Sequence, residues 1–283
     1  MVVALSLAAA LCFATASVLQ HQAASAAPRG RAGGIGLLAR LAVRPRWVLG
    51  VLFDIGGYLL QVVALDRGAL ALVQPLLAAG LLFALLFNTS HHGRGMRKRD
   101  WLTAGLSAAG LAVFVIAGAP RGVHQRPDDP AWAAFTAATA LLVAIALVLS
   151  QRRRPAARAA LLAGGAGITY ALSAALTKQS VTELHLGVGH LLSTSYPYAL
   201  ALAGLGGMVL TQTAFQSGPL AASLPTLTLS EPVFAAVAGA VLFGERLRGG
   251  AAGVVAMAGA FVGGCAVLLL TRSPSAQPLL HTG

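Results

Sequence analysis

The chain has 283 residues, of which 57% are hydrophobic and only 10% are charged, and its mean hydropathy is +0.77. Soluble domains carry about 25% charged residues, so this composition excludes a soluble globular protein and indicates a polytopic membrane protein. The net charge of +12 does not indicate nucleic-acid binding, because the basic residues fall in short loops between apolar runs.

The apolar runs predict nine transmembrane helices. They are continuous and rich in Leu and Ala, whereas the strands of a membrane barrel would alternate in polarity, so the expected fold class is all-α. About 20 apolar residues are enough to cross a bilayer. The predicted spans are Val2 to Gln20, Trp47 to Leu65, Leu70 to Phe87, Trp101 to Ala117, Trp132 to Leu149, Ala159 to Leu176, Tyr196 to Phe215, Leu220 to Phe243 and Gly250 to Leu270.

An internal repeat predicts two halves of inverted topology. Several residues recur at a constant offset, and the two copies are separated by an odd number of spans, which turns one half upside down relative to the other. The matched residues are Gly56-Gly57, Ala64, Gly68, Leu70, Ala71 and Pro75 with Gly206-Gly207, Ala214, Gly218, Leu220, Ala221 and Pro225, and more loosely Phe13-Ala14 with Tyr170-Ala171. The expected organisation is a first repeat of four spans at 1–120, a linking transmembrane helix at 131–150, a second repeat of four spans at 157–271 and a disordered cytoplasmic tail at 272–283.

Lys and Arg residues predict the orientation. Most of them lie in the loops that would be inside if the N-terminus is outside and the C-terminus inside. A tenth segment dipping into the membrane around Ile35 to Val43 would reverse the side of the N-terminus. Trp47, Trp101 and Trp132 stand at span starts, where aromatic rings settle at the membrane interface.

The second half resembles the drug/metabolite transporter superfamily of the EamA-like kind. The residues that carry the resemblance are Ser230-Glu231-Pro232, the closing Phe243-Gly244-Glu245-Arg246-Leu247, and Gly253 with Gly259 in the last span. The first half, with Leu72-Val73-Gln74-Pro75-Leu76 and Ala119-Pro120, looks more like the NIPA-type magnesium transporter branch, as does the number of spans. The resemblance implies a secondary transporter that works by alternating access.

Two carboxylates inside predicted spans are the main candidates for a binding site. Asp54, Tyr58 and Gln61 share one face of the second span, which suits a water-filled cavity or the oxygen ligands of a cation. Alternatively, Asp54 lies near the inner interface and reaches water there. Glu231 lies deeper, and we expect it to couple transport to protons or to bind a cation, unless it is a protonated acid hydrogen-bonded between helices. Pro75, Pro225 and Pro232 are expected to bend helices at the site.

Further polar residues are secondary candidates. Tyr170, Ser173 and Lys178 belong to the sixth span, and the end Lys resembles one common at this place in metabolite carriers, where it meets an anionic group or snorkels. Gln212 is expected to face the centre of the bundle. Ser230 is expected to line the cavity or to bond a backbone carbonyl.

Two features near the end of the chain are read as structural. Glu245 is expected to form an interfacial pair near Arg248 or to stop a helix. Gly259 and Gly263 form a small-residue face that permits close packing in the bundle or a homodimer.

The sequence therefore predicts a plasma-membrane secondary transporter for a small polar solute, cationic or zwitterionic, with a central site of Asp54, Gln61, Gln212 and Glu231. A magnesium or other divalent-cation transporter would use Asp54 and Glu231 as metal ligands, and a non-transporting structural subunit would need neither acid. No HExxH, GxSxG or nucleotide-binding loop is found, so neither enzymatic activity nor a cofactor is expected. The expected partners are the substrate and the lipid bilayer.

Overall fold

A computed structural model of the chain describes residues 1–25, 42–80, 83, 98–118, 127, 129–217, 220–246 and 248–271. All regular secondary structure in these ranges is helical, which confirms the all-α class. The helices are α1 (Val2–Ser25), α2 (Pro45–Arg67), α3 (Leu70–Ala78), α4 (Lys98–Gly118), α5 (Asp129–Ser150), α6 (Pro155–Leu184), α7 (Val188–Ser193), α8 (Tyr196–Ser217), α9 (Leu220–Phe243) and α10 (Gly250–Thr271). The predicted tail, the segment around Ile35 to Val43 and most of the predicted span beyond Gly80 lie outside the described residues.

Within the described ranges, four helical segments are long and apolar enough to cross a membrane: Pro45–Arg67, Asp129–Ser150, Pro155–Leu184 and Thr226–Phe243. Shorter apolar helices cover Val2–Ala16, Tyr196–Thr211 and Gly250–Ala266. Large apolar side chains such as Leu141, Leu202 and Phe261 point outward and are more than half exposed. An outer surface of this kind is suited to lipid rather than water, as expected for a membrane protein.

Helix α6 lies at the centre of the bundle. It begins at Pro155, whose fixed φ and missing N–H suit the first turn of a helix. It packs against α5, α8 and α9 and also contacts α2. Many of its buried residues are Ala or Gly, and small side chains allow neighbouring helices in a membrane to approach closely. Any side chain on the inner faces of α6 is therefore held by several other helices at once.

The helices alternate in direction, so their starts and ends meet at common ends of the bundle. At one end, Val2 at the start of α1 packs on Gly68 at the end of α2. At the same end the Trp132 ring of α5 lies 5.5 Å from Tyr196 of α8 and 6.1 Å from Phe243 of α9. Trp132 does stand at a helix start, but its ring packs inward, because these two rings cover it. We refer to this end as the Trp132 end.

Two glycines that the sequence repeat matches make corresponding contacts. A Cβ on Gly57 of α2 would lie 2.9 Å from the Phe13 ring of α1. A Cβ on Gly207 of α8 would lie 2.6 Å from the Tyr170 ring of α6. In each pair the absent side chain lets an aromatic ring of one helix lie directly on the backbone of the next.

The glycine face of the last helix packs within the chain. A Cβ on Gly110 of α4 would lie 2.6 Å from the Gly259 carbonyl oxygen and 2.6 Å from the Gly263 nitrogen. The start of α10 is also tied to α4, because the Arg248 nitrogen donates to the Gly118 carbonyl oxygen over 2.8 Å. Helix α4 thus covers the face on which the sequence suggested a homodimer, so a dimer through α10 requires a different face.

Candidate functional site

Tyr170 of α6 lies at the centre of the candidate site. Its hydroxyl accepts a hydrogen bond from Thr211 of α8 over 3.4 Å. It also interacts electrostatically with the carboxyl groups of Glu231 and Asp54. The two acids singled out in the sequence therefore lie near the same hydroxyl, although one comes from α9 and the other from α2.

A close crossing of α6 and α9 brings Glu231 to this position. A Cβ on Gly167 of α6 would overlap the Ser230 hydroxyl and would lie 3.0 Å from the Glu231 nitrogen. Glu231 is half-buried. The Ser230 hydroxyl donates to the Leu227 carbonyl oxygen over 3.2 Å, which is a local bond beside Pro232 and leaves this hydroxyl's hydrogen directed at its own helix.

The polar face of α2 is divided between two neighbours. Asp54, which is half-buried, lies within electrostatic range of Tyr170, whereas the Tyr58 hydroxyl lies 3.1 Å from the Thr177 hydroxyl of α6. Thr177 donates its single hydrogen to the Ser173 carbonyl oxygen over 2.9 Å, so Tyr58 is the donor to Thr177. Gln61 is buried, at 8% exposure.

A cleft runs between α2, α6, α7 and α8, beginning at Tyr58 and Thr177. Its volume is about 150 Å³, and its remaining lining residues are Val62, Ser180, Val181, Leu184, Leu191 and Leu200. The buried Ser180 hydroxyl finds no hydrogen-bond partner among the described residues. Tyr58 is one helical turn from Asp54, and the cleft extends from there toward Leu184 at the end of α6, at the Trp132 end.

The structure pairs Lys178 with Glu245, which the sequence did not indicate. The Lys178 ammonium lies 2.5 Å from Glu245 Oε1, donates to the Gly68 carbonyl oxygen over 3.3 Å, and sits 4.8 Å from the centre of the Phe243 ring. Of the two alternatives for Lys178, the structure shows contact with an anionic group rather than snorkelling, and Glu245 pairs with Lys178 inside the bundle.

The same carboxylate caps a helix. Leu70 and Ala71 at the start of α3 donate their backbone N–H groups to Glu245 Oε1 and Oε2 over 2.7 and 2.9 Å. These donors have no partner within their own helix, and the helix dipole favours a negative charge there. We call the set of Glu245, Lys178, Gly68, Leu70 and Ala71 the Glu245 cluster.

Further polar pairs lie at the Trp132 end. Glu183, at 7% exposure, accepts from Gln179 over 2.6 Å and lies 2.9 Å from His190 of α7. His185 lies 2.6 Å from Asp66 at the end of α2. The contact with His190 joins α6 to α7, and the contact of His185 joins the end of α6 to the end of α2.

Other predicted residues lie away from Tyr170, or their side chains are not among those that the structure describes. Pro75 lies inside α3, which ends three residues later, and α9 continues as one helix through Pro232. Ser173 is half-buried on α6. The side chains of Pro225 and Gln212 lie outside the described part of the structure.

Thr211 was not among the residues predicted for the site. Its neighbour Gln212 was chosen because an amide is costly in lipid, whereas a threonine in an apolar helix carries no such signal. One signal could have indicated this part of α8. Gly207 matches Gly57 in the sequence repeat, and Thr211 lies one helical turn after Gly207.

The described residues contain no group of three or more His, Cys, Asp or Glu side chains placed to hold a metal ion. No family model matches the chain, and no solved structure matches it. An uncharacterized protein of Corynebacterium glutamicum is 28% identical over 249 residues, which cover 86% of this chain and 84% of that protein.

Proposed function

We propose that the chain is a secondary membrane transporter of the drug/metabolite transporter superfamily. It moves a small cationic or zwitterionic solute by alternating access, and the movement is coupled to an ion gradient. The observation that carries the proposal is that Asp54 of α2 and Glu231 of α9, two acids from separate helices, both lie within electrostatic range of the Tyr170 hydroxyl. The members of the site come from separate helices, so the fold and not one local sequence motif brings them close.

The cost of placing acids in apolar helices supports a functional role. An ionisable residue near the middle of a membrane span costs about 2.5–3.5 kcal/mol on insertion scales. Such residues therefore face a cavity, a partner or a substrate rather than lipid. Two acids beside one phenol give a negative site that favours a positively charged group over an anion.

We assign roles to the side chains in this arrangement. Asp54 and Glu231 bind the positive group of the solute or the coupling proton, and Tyr170 and Thr211 supply neutral hydrogen bonds. Gln61 extends the site along α2. The cleft beside Tyr58 is the approach from the Trp132 end.

The proposal includes two inverted repeats, nine spans in a plasma membrane and a cytoplasmic C-terminus. The corresponding contacts of Gly57 with Phe13 and of Gly207 with Tyr170 support the repeats. In transporters built from inverted repeats, the site lies between the halves near the bilayer midplane. Asp54 belongs to the first half, and Tyr170 and Glu231 belong to the second.

A magnesium or other divalent-cation transporter is the alternative that the same acids favour. Mg²⁺ keeps several waters and binds through one or two carboxylates, which the pair Asp54 and Glu231 provides. A non-transporting structural subunit, in contrast, has no use for either acid.

Ligand-induced thermal stabilisation of the purified protein tests the proposal. A ligand that binds only the folded protein stabilises it by about 2.7 kcal/mol at 100 times its Kd. We expect one or more organic cations or zwitterions to stabilise the wild type and to lose this effect in Asp54→Asn and Glu231→Gln. Stabilisation by Mg²⁺ alone, lost in the same variants, would favour the alternative. Stabilisation that survives both substitutions would contradict the assigned site.

A further inference from the structure

The Glu245 cluster joins two parts of the molecule that the proposed function requires to move apart. Helix α3, which carries Leu70 and Ala71, belongs to the first repeat. Lys178 on α6 and Glu245 on the α9–α10 connection belong to the second. All their contacts lie at the Trp132 end, where the cleft beside Tyr58 leads.

The cluster is buried in the present conformation. The Glu245 side chain is 1% exposed and that of Lys178 is 17% exposed. Both carboxylate oxygens are occupied, because one accepts from Lys178 and Leu70 and the other from Ala71. The Trp132 end is therefore closed at this point by charged and hydrogen-bonded groups.

The connection that carries Glu245 has a glycine of positive φ on each side. Gly244 and Gly250 have φ values of +61° and +68°, which residues with a side chain rarely adopt. The carboxylate also lies against Gly239 of α9, where a Cβ would overlap Glu245 Oε2, and the Glu245 nitrogen donates to the Gly239 carbonyl oxygen over 2.9 Å. The sharp turn after α9 thus places the carboxylate between α9 and the start of α3.

We propose that the Glu245 cluster is a latch that holds the Trp132 end closed and releases when that end opens. The inference rests on the proposed function, because the opening is a step of alternating access. On release the carboxylate and the Leu70 and Ala71 amides exchange their bonds for bonds to water. Lys178 remains placed over the Phe243 ring, ready to receive the carboxylate again. The cluster then has two arrangements, one bonded within the protein and one bonded to water, as a conformational switch requires.

Labelling of a buried thiol measures the opening without any knowledge of the substrate. Val73 lies one turn into α3, next to the latch, and is 0% exposed. We would place Val73→Cys in a chain whose native cysteines Cys12 and Cys265 are replaced by Ser, and follow its reaction with a membrane-impermeant maleimide in proteoliposomes. The labelling rate follows the fraction of molecules whose Trp132 end is open, and a minor conformation of this kind is typically populated at about 0.1–10%. Removal of the latch by Glu245→Gln is expected to raise that fraction, and with it the labelling rate, about tenfold or more.

Glu183→Gln is the matched control. Glu183 is a buried acid at the same end, but its partners Gln179 and His190 lie on its own helix and on the short helix that follows. It does not join α3 to the second repeat, so its replacement is expected to leave the labelling rate unchanged.

A charge swap tests whether the bonds to the Leu70 and Ala71 amides, and not only the ion pair, hold the Trp132 end closed. Lys178→Glu combined with Glu245→Lys keeps opposite charges together but turns an ammonium toward the Leu70 and Ala71 amides, which cannot donate to it. We expect this double variant to label as fast as Glu245→Gln. If Glu245→Gln does not fold, Lys178→Met takes its place, because it leaves the carboxylate on both amides, and a smaller increase in labelling is expected.

Three outcomes overturn the latch: labelling that is unchanged in Glu245→Gln and Lys178→Met, labelling that rises equally in Glu183→Gln, or full rescue by the charge swap. Transport is measured on the same vesicles. If neither organic solutes nor Mg²⁺ are moved by the wild type while Glu245→Gln still opens the Trp132 end, the transporter proposal fails and the latch stands.

Discussion

The Tyr58 hydroxyl donates a hydrogen bond to the Thr177 hydroxyl across 3.1 Å. The bond joins α2 to α6, one turn along α2 from Asp54 and two turns along α6 from Tyr170. It therefore fixes the spacing of the helices that carry two members of the candidate site.

We predict that Tyr58 and Thr177 are energetically coupled. A hydrogen bond between membrane helices contributes about 0.6 kcal/mol on average, so the coupling in a cycle of Tyr58→Phe and Thr177→Val should have about this size. Unfolding of the purified protein in mixed micelles measures it. Tyr198→Phe is the control, since that hydroxyl bonds the Leu192 carbonyl oxygen, six residues earlier in the chain, and does not join α2 to α6. Strictly additive effects of the two substitutions would show that the bond does not hold the helices.

Tyr170→Phe should weaken binding of the solute while leaving the fold intact. The substitution keeps the ring against Gly207 and removes the hydroxyl that lies within electrostatic range of Asp54 and Glu231. A neutral hydrogen bond contributes about 0.5–1.5 kcal/mol, which corresponds to a loss of affinity of about two- to tenfold. Binding isotherms for the solute found by thermal stabilisation check this, with Tyr198→Phe as the control. Unchanged affinity in Tyr170→Phe would remove the hydroxyl from the site.

Adjacent glycines should respond oppositely to substitution by Ala. In Gly57→Ala and Gly207→Ala the new methyl group meets the Phe13 or Tyr170 ring, and such overpacking costs about 1–3 kcal/mol. In Gly56→Ala nothing lies within 4 Å of the new group, and in Gly206→Ala the first contact is at 3.9 Å. Both of these variants should be neutral or stabilised by up to about 1 kcal/mol. The prediction fails if the members of either adjacent pair have equal unfolding free energies.

The contact between α4 and α10 gives a further test of packing within the chain. Gly110→Ala places a methyl group against the backbone of Gly259 and Gly263, which cannot move aside as a flexible side chain can. We expect it to cost at least about 1–3 kcal/mol in the free energy of unfolding. Gly105→Ala on the same helix meets nothing within 4 Å and serves as the control. If Gly110→Ala is as stable as Gly105→Ala, α4 does not cover the glycine face in solution.

Much of the fold follows from the sequence. The predicted span Leu220 to Phe243 coincides with α9, and Tyr196 to Phe215 differs from α8 by two residues at its end, because long apolar runs mark helices directly. The prediction for α6 ended at Leu176, but the helix continues to Leu184. Hydropathy stops where polar residues begin, whereas Gln179 and Glu183 are satisfied by neighbours that hydropathy does not reveal.

The candidate site was only partly predictable. Asp54 and Glu231 stand out because acids are costly in lipid, and both lie within electrostatic range of Tyr170, which the sequence offered only as a secondary candidate. The pairing of Lys178 with Glu245 depends on which helices are neighbours, and a single sequence with tolerant motifs does not specify that. Thr211 was missed because a threonine in a membrane helix often bonds its own backbone, so its presence alone indicates no site.

Flux into proteoliposomes tests the central claim most directly. Solute entry would be followed together with proton movement, and Mg²⁺ entry in parallel, for the wild type, Glu231→Gln and the control Glu183→Gln. We expect solute entry accompanied by proton movement in the wild type and in Glu183→Gln, and loss of that coupled entry in Glu231→Gln. Mg²⁺ entry lost in Glu231→Gln would move the chain to the divalent-cation alternative. Solute entry into Glu231→Gln vesicles at the wild-type rate would show that Glu231 does not couple transport.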